Sequence, residues 1–186
     1  KRSFIKIKLD KEYDFHIDSD YKKINALNKI KSFIKTSGTI NINKILECVK
    51  KQTGVQSSVH HAENYAKITW DQLKEMNSNE LFCIGGHSLY HDILAHLSLK
   101  RLKKDIQISL NLLEYNLDEK IRHYSYPEGQ KEHFSLAVIN LLKSNGIICC
   151  PTAIMGLNTL KTDPFRLKRI MVGFSEIPFP YFDHSL

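Results

Sequence analysis

Apolar positions along this chain repeat with two different periods. Ile5, Ile7 and Leu9 alternate with Lys6 and Lys8, a period of two that predicts a strand. Residues 10–21 lack that repeat and read as polar and irregular. Ile24, Leu27, Ile30, Phe33 and Ile34 then share one face at helical spacing, with Ser37-Gly38 as the stop. A second helix is predicted from about Asn43 to Gln52, ended by Gly54. Thr69-Trp70-Asp71-Gln72 has the spacing of a capping box, and Trp70 and Leu73 are expected to form the buried face of the short helix it opens. Leu81-Phe82-Cys83-Ile84 reads as a short buried strand. Leu99, Leu102, Ile106, Leu110 and Leu113 mark a long helix capped by Ser98. Ile121 to Tyr126 reads as a strand that stops at Pro127, which has no N–H for a central ladder. A helix from about His133 to Ser144, closed by Gly146, leads to a buried strand from Ile147 to Cys150. Strand and helix therefore alternate in the later half, which predicts parallel pairing with right-handed crossovers. Pro164, Pro178 and Pro180 punctuate a tail of little regular pattern. No internal repeat is visible, and residues 1–186 read as a single domain.

Between two of these elements lies Gly85-Gly86-His87-Ser88-Leu89-Tyr90-His91. Two imidazoles at positions i and i+4 of one helical turn point the same way and can grip one divalent metal. The pair follows a predicted strand and a Gly-Gly turn, the place where α/β proteins collect their sites.

Composition narrows the field. A chain of 186 residues with 42% hydrophobic and 25% charged residues suits a soluble globular domain with a sizeable core. No run approaches the roughly 18 apolar residues of a membrane span, and no signal peptide is visible; the first residue is Lys1, not Met. Cytoplasm and cell envelope both stay open. The net charge of +7 comes from lysines spread among carboxylates, not gathered in a run with interleaved aromatics, which argues against a nucleic-acid partner. A positive surface equally suits an anionic glycan or a membrane surface. Cys48, Cys83, Cys149 and Cys150 form no C-x-x-C pair, which argues against a zinc ribbon.

Taken in order, several segments resemble the NodB-homology polysaccharide deacetylases, carbohydrate esterase family four. Ile68-Thr69-Trp70-Asp71-Gln72-Leu73 is similar to the helix before the family's second motif. His87-Ser88-Leu89-Tyr90-His91 matches its His-(Ser/Thr)-x-x-His. Tyr124-Ser125-Tyr126-Pro127-Glu128-Gly129 looks like the third motif of branches that read Tyr-Pro-x-Gly. Asn145-Gly146-Ile147, Thr152-Ala153, Asn158 and Asp163 to Ile170 look like the closing segments of the same branches, so the likeness spans about residues 65–175. The resemblance implies a distorted (β/α) barrel, incomplete here at its N-terminus. It implies a divalent metal, zinc in kind, held by His87 and His91, with Ser88 supporting their loop. Tyr126, Pro127, Glu128 and Gly129 would face the substrate or the developing oxyanion. The implied partner is an acetylated amino-sugar glycan.

This chain departs from the family at three points. The first motif, Thr-Phe-Asp-Asp-Gly, supplies the base and a third metal ligand, and it is absent. Ser3-Phe4-Ile5 looks more like the family's second strand, which would put the first strand and its aspartates upstream of Lys1. His16-Ile17-Asp18-Ser19-Asp20 imitates the motif, but a polar turn accounts for those aspartates. An Arg two residues before the Pro of the third motif is replaced by Ser125, and Arg169 is the candidate to orient a carboxylate in its stead. The late leucine-histidine motif is not evident, and His184 is the nearest candidate for its acid. His60, His61, His96, His123 and His133 read as surface residues. The resulting expectation is a metal-dependent hydrolase that removes acetyl groups from an N-acetylated sugar or cell-surface polysaccharide. The alternative is an inactive deacetylase remnant or glycan-binding module.

Overall fold

Ile5 and Ile7 do build a strand, β1 (Phe4–Lys8), but its partner lies in the segment expected to be irregular. β2 (Glu12–His16) pairs with it antiparallel, from Phe4 opposite His16 to Lys8 opposite Glu12. The alternation that makes β2 is only Tyr13 and Phe15 among charged neighbours, too short to register as a period. Across the pair, Lys6 faces Glu12 at 3.5 Å and Asp14 at 3.8 Å, so charges that look like loop polarity are cross-strand partners. The structure, a computed structural model, describes residues 3–8, 11–37, 42–55 and 66–170. The chain divides into two units, Lys1–Lys67 and Ile68–Leu186.

In the first unit α1 (Asp20–Ser37) and α2 (Ile42–Thr53) follow the hairpin. Ile5, Ile7 and Phe15 are buried with Ala26 and Ile30 of α1 and Ile45 of α2. The Gln52 side chain completes the open edge of β1. It accepts from the Lys6 N–H at 2.8 Å and donates to the Lys6 carbonyl at 2.6 Å.

The second unit opens with α3 (Trp70–Asn77), capped as predicted. Thr69 accepts from the Gln72 N–H, and Gln72 accepts from the Thr69 N–H. Its expected buried face is not there: Trp70 is 43% exposed and no α3 residue is buried. The core lies elsewhere, where Leu102, Ile106 and Leu110 of α4 (Leu99–Leu117) meet Val138, Ile139 and Leu142 of α5 (Leu136–Ser144) around Tyr124 and Tyr126. Ser98 caps α4 as expected. α5 starts later than predicted because Ser135 caps it. His133 sits before that cap in a 3₁₀ turn and is buried, accepting from the Gln130 N–H at 3.1 Å, which corrects its reading as a surface residue.

Parallel pairing is present, on shorter strands than predicted. β3 (Gly85–Gly86) pairs parallel with β4 (His123–Tyr124), and His123 forms a parallel bridge to Cys149. Residues 81–84 are not a strand, and Leu81 is 89% exposed. At the glycines the neighbouring strand and its Tyr124 ring come close. A Cβ on Gly85 would sit 3.0 Å from the His123 carbonyl oxygen, and one on Gly86 would sit 2.5 Å from the Tyr124 ring. Gly86→Ala should therefore overpack a closed site and lower stability by about 1–3 kcal/mol. Urea denaturation measures this.

Candidate active site

The site starts from two polar side chains on the apolar face of α4. Asp105 and Ser109 lie among Leu102, Ile106 and Leu110, and Asp105 is only 7% exposed. Both Asp105 carboxylate oxygens accept from the Leu89 N–H at 3.2 Å, and the Ser88 side chain also bonds this carboxyl. The Tyr124 hydroxyl accepts from the Ser88 N–H at 2.6 Å and bonds the Ser109 side chain. Ser88 Oγ in turn accepts from the Asp92 N–H at 3.0 Å. These bonds hold residues 87–92 in a turn with Ser88 at φ +64° and His91 at φ +60°. Two non-glycine residues in that region cost of order 1–3 kcal/mol each and persist where the surroundings over-determine them.

His87 and His91 meet in this turn, their ring centroids 4.8 Å apart and edge to face. The spacing expected of one helical turn is thus realised by a left-handed turn, not a helix. His87 Nδ1 lies 2.8 Å from the Ser125 carbonyl oxygen. A carbonyl only accepts, so Nδ1 carries the proton, and a neutral ring then keeps its lone pair on Nε2. A carbonyl accepting from the far ring nitrogen in this way orients a metal-ligating imidazole in many sites. The pair fits two of the three protein ligands of a catalytic zinc-type ion. Among the described residues no group of three or more His, Cys, Asp or Glu is placed to hold one.

Beside the pair, β4 runs through Ser125 into the Tyr126–Gly129 turn. Ser125 N–H donates to the Gly86 carbonyl at 2.8 Å, which ties the two segments together. Tyr126 is 1% exposed; its ring stacks on Phe134 at 4.5 Å and its hydroxyl donates to the Phe165 carbonyl at 3.1 Å. Its side chain is thus committed to the core. Pro127 is fully buried. Gly129 N–H donates to the Pro127 carbonyl at 2.7 Å across Glu128, which has φ +61°, a tight γ-type turn. Ala153 N–H donates to the Gly129 carbonyl at 2.8 Å, and a Cβ on Gly129 would lie 2.7 Å from that nitrogen, so glycine is required there. Arg169 Nε donates to the Thr152 carbonyl, next to this turn. His87, the Pro127 turn, Thr152 and Arg169 are therefore linked through neighbouring strand ends, the arrangement parallel order predicts.

The remaining candidates lie elsewhere. Asp18 and Asp20 stand at the start of α1, paired with Lys22 at 2.9 Å and Lys23 at 2.8 Å. The bonded Lys22 ammonium holds the Asp18 carboxyl below its usual range, as Lys23 does for Asp20. A strand does precede them, contrary to expectation, yet their partners are helix-start lysines. His60, His61 and His184 fall outside the described residues. Asp105, Ser109 and the Tyr124 hydroxyl were not singled out from the sequence. The available signal was a carboxylate and a hydroxyl on the Leu102–Ile106–Leu110 stripe.

Burial pushes the Asp105 carboxyl above its usual value, more than the Leu89 N–H and Arg101 lower it; Asp92 adds to the rise. Burial likewise raises the Tyr124 phenol and pushes the Cys150 thiol up to about 12. A raised carboxyl favours the fold when protonated. That contribution is full below the unfolded pKa of 3.8 and is lost as pH rises through the higher folded value. Asp105→Asn keeps the neutral form at every pH. Its urea midpoint relative to wild type should therefore improve from pH 4 toward neutrality, a slope a merely space-filling Asp105 would not produce.

Residues 37–148 match the family model described as polysaccharide deacetylase. The fold is similar to the deacetylase domain of BpsB from Bordetella bronchiseptica, with 18% identity and a TM-score of 0.51 over 62% of this chain and 53% of that one. It is similar to the deacetylase PplD from Streptococcus pyogenes, solved with acetate, with 16% identity and a TM-score of 0.53 over 73% and 61%. It is similar to IcaB from Ammonifex degensii, with 20% identity and a TM-score of 0.51 over 73% and 64%. The chain thus spans 53–64% of the length of these solved relatives. No curated protein sequence matches it.

Proposed function

This chain belongs to the polysaccharide deacetylase family, and on that premise we propose that the complete protein is a metal-dependent hydrolase that removes acetyl groups from an N-acetylated sugar polymer. The observation that carries this reading is the His87–His91 pair, with His87 Nδ1 on the Ser125 carbonyl directly before the Tyr126–Gly129 turn. His87, through Nε2, and His91 would hold the ion, and Ser125 would fix the His87 ring and tautomer. When bound, a divalent ion supplies Lewis acidity toward an acetyl carbonyl and lowers the pKa of water. The chain's own residues would shape and hold the site. Tyr124 and Asp105 hold the histidine turn against its strain. The buried Pro127 and the Gly129–Ala153 bond fix the turn beside the histidine pair; Pro127 has no N–H and the Gly129 N–H is given to the Pro127 carbonyl, so neither would serve as an oxyanion donor. Arg169, anchored on the Thr152 carbonyl, would steady a carboxylate there.

The base and third ligand are proposed to lie outside residues 1–186, in the part that closes the barrel; the chain's share of its relatives' length supports this. A positioned base is worth about 10²–10⁴-fold. The test is acetate release from an N-acetylglucosamine oligomer with added zinc or cobalt. A version extended upstream should be active and the 186-residue chain inactive. Inactivity of both would favour the glycan-binding alternative. Full activity of the 186-residue chain, abolished by Asp18→Asn, would move the base to the start of α1.

A further inference from the structure

The net charge of the chain is not spread evenly. Residues 1–67 hold 14 Lys and Arg against 7 Asp and Glu, while residues 68–186 hold 13 against 13. The whole +7 therefore belongs to the first unit. The deacetylase chemistry, placed in the second unit, makes no use of it.

The same unit carries an open aliphatic groove of about 860 Å³ between α1, α2 and β1. From α1 it is lined by Leu27, Ile30 and Ile34, with Lys23 and Lys31 on the same helical face; from α2 come Ile42, Ile45 and Leu46. Leu27, Ile42 and Leu46 are 48–50% exposed, and Ile24 next to them is 58% exposed. Contiguous apolar surface of this kind on a soluble domain marks an interaction site. Among the described residues no aromatic side chain lines the groove, which gives a nucleic-acid base no stacking platform there.

We propose that the first unit docks on an anionic phospholipid bilayer, its aliphatic groove receiving acyl carbon and its lysines meeting the headgroups. Charge complementarity selects this occupant. Lys23 and Lys31 line the groove; among the described residues Lys23 pairs with the exposed Asp20, while Asp18, also in the lining, is held by Lys22 at 2.9 Å. Long lysine stems lie along apolar surface and carry the ammonium to the interface. A basic helix with an apolar face lies in the plane of a membrane, and among the described residues no helix is long and apolar enough to cross one. For an enzyme of surface polysaccharide, such docking would hold the second unit near its polymer, but the inference does not depend on that reading.

The test is co-sedimentation of the 186-residue chain with vesicles of phosphatidylcholine alone or mixed with phosphatidylglycerol. Binding is expected to the mixed vesicles only and should weaken as salt rises, because exposed charges are screened. Each lysine near an anionic surface contributes a factor of about five, so Lys23→Glu with Lys31→Glu should weaken binding by about 25-fold or more. Ile24→Asn with Leu27→Asn leaves charge unchanged and should cost about tenfold through lost apolar burial. All four positions are exposed, and the wild-type comparison of the two vesicle types stands without the variants. Equal binding to both vesicle types, or none to either, would overturn the proposal. So would a dimer in analytical ultracentrifugation that the Asn pair abolishes, which would seat a second copy on the groove. Salt-sensitive binding to duplex DNA without vesicle binding would give the basic face to nucleic acid.

Discussion

In an upstream-extended version of the protein that carries the proposed base, His87→Ala and His91→Ala should each lower acetate release by more than about 100-fold. Loss of an outer partner of a metal-bound histidine costs 10–100-fold in affinity or activity, and loss of the ligand itself costs more. Because the two rings are proposed to serve one ion, the double variant should fall little further than either single one. Isothermal titration with zinc on the same variants gives a readout independent of turnover. Neither ring reaches the core: both residues are exposed, so thermal stability without added metal should stay close to wild type. Retained activity in either single variant would remove the pair from the mechanism.

Tyr126→Ala should be among the most destabilising single changes in the second unit, at about 3–5 kcal/mol, the range for truncating a buried aromatic. Its ring is stacked on Phe134 at 4.5 Å and is 1% exposed, so the surroundings have little freedom to collapse into the gap. Tyr126→Phe separates packing from hydrogen bonding. It keeps the stack and leaves the Phe165 carbonyl without its donor, for about 1–3 kcal/mol. The Phe variant should keep kcat/KM in the extended enzyme, because the hydroxyl is spent in the core. A large fall in kcat with unchanged stability would instead place that hydroxyl at the substrate.

These predictions rest on residues of two kinds. His87, His91 and the Tyr126–Gly129 segment were legible as motifs that point to a family, and the match of residues 37–148 shows that family. The forces that shape them were not. Ser88 N–H finds the Tyr124 hydroxyl 36 residues away, and Leu89 N–H finds Asp105 16 residues away. The sequence pattern alone favoured a helical turn at His87–His91, since i, i+4 is helical spacing. A left-handed turn reaches the same meeting of rings, and only the distant hydroxyl and carboxylate make it preferable.

The same division runs through the fold. Thr69 with Gln72, Ser98 and Gly146 were read correctly because each acts on backbone within a few residues, so their chemistry is complete in the local sequence. Parallel order followed from the alternation of strand and helix, which constrains how the chain can return. Strand extents did not follow. Residues 81–84 look more strand-like than Gly85-Gly86, yet pairing falls on the glycines, where a Cβ at Gly86 would collide with the Tyr124 ring. β2 escaped notice because its charges are satisfied by Lys6 on the facing strand. Sequence alone thus determined the residue types at the site and the family to which they point. Tertiary structure decided which backbones meet and what strain they hold, because those contacts depend on partners tens of residues away.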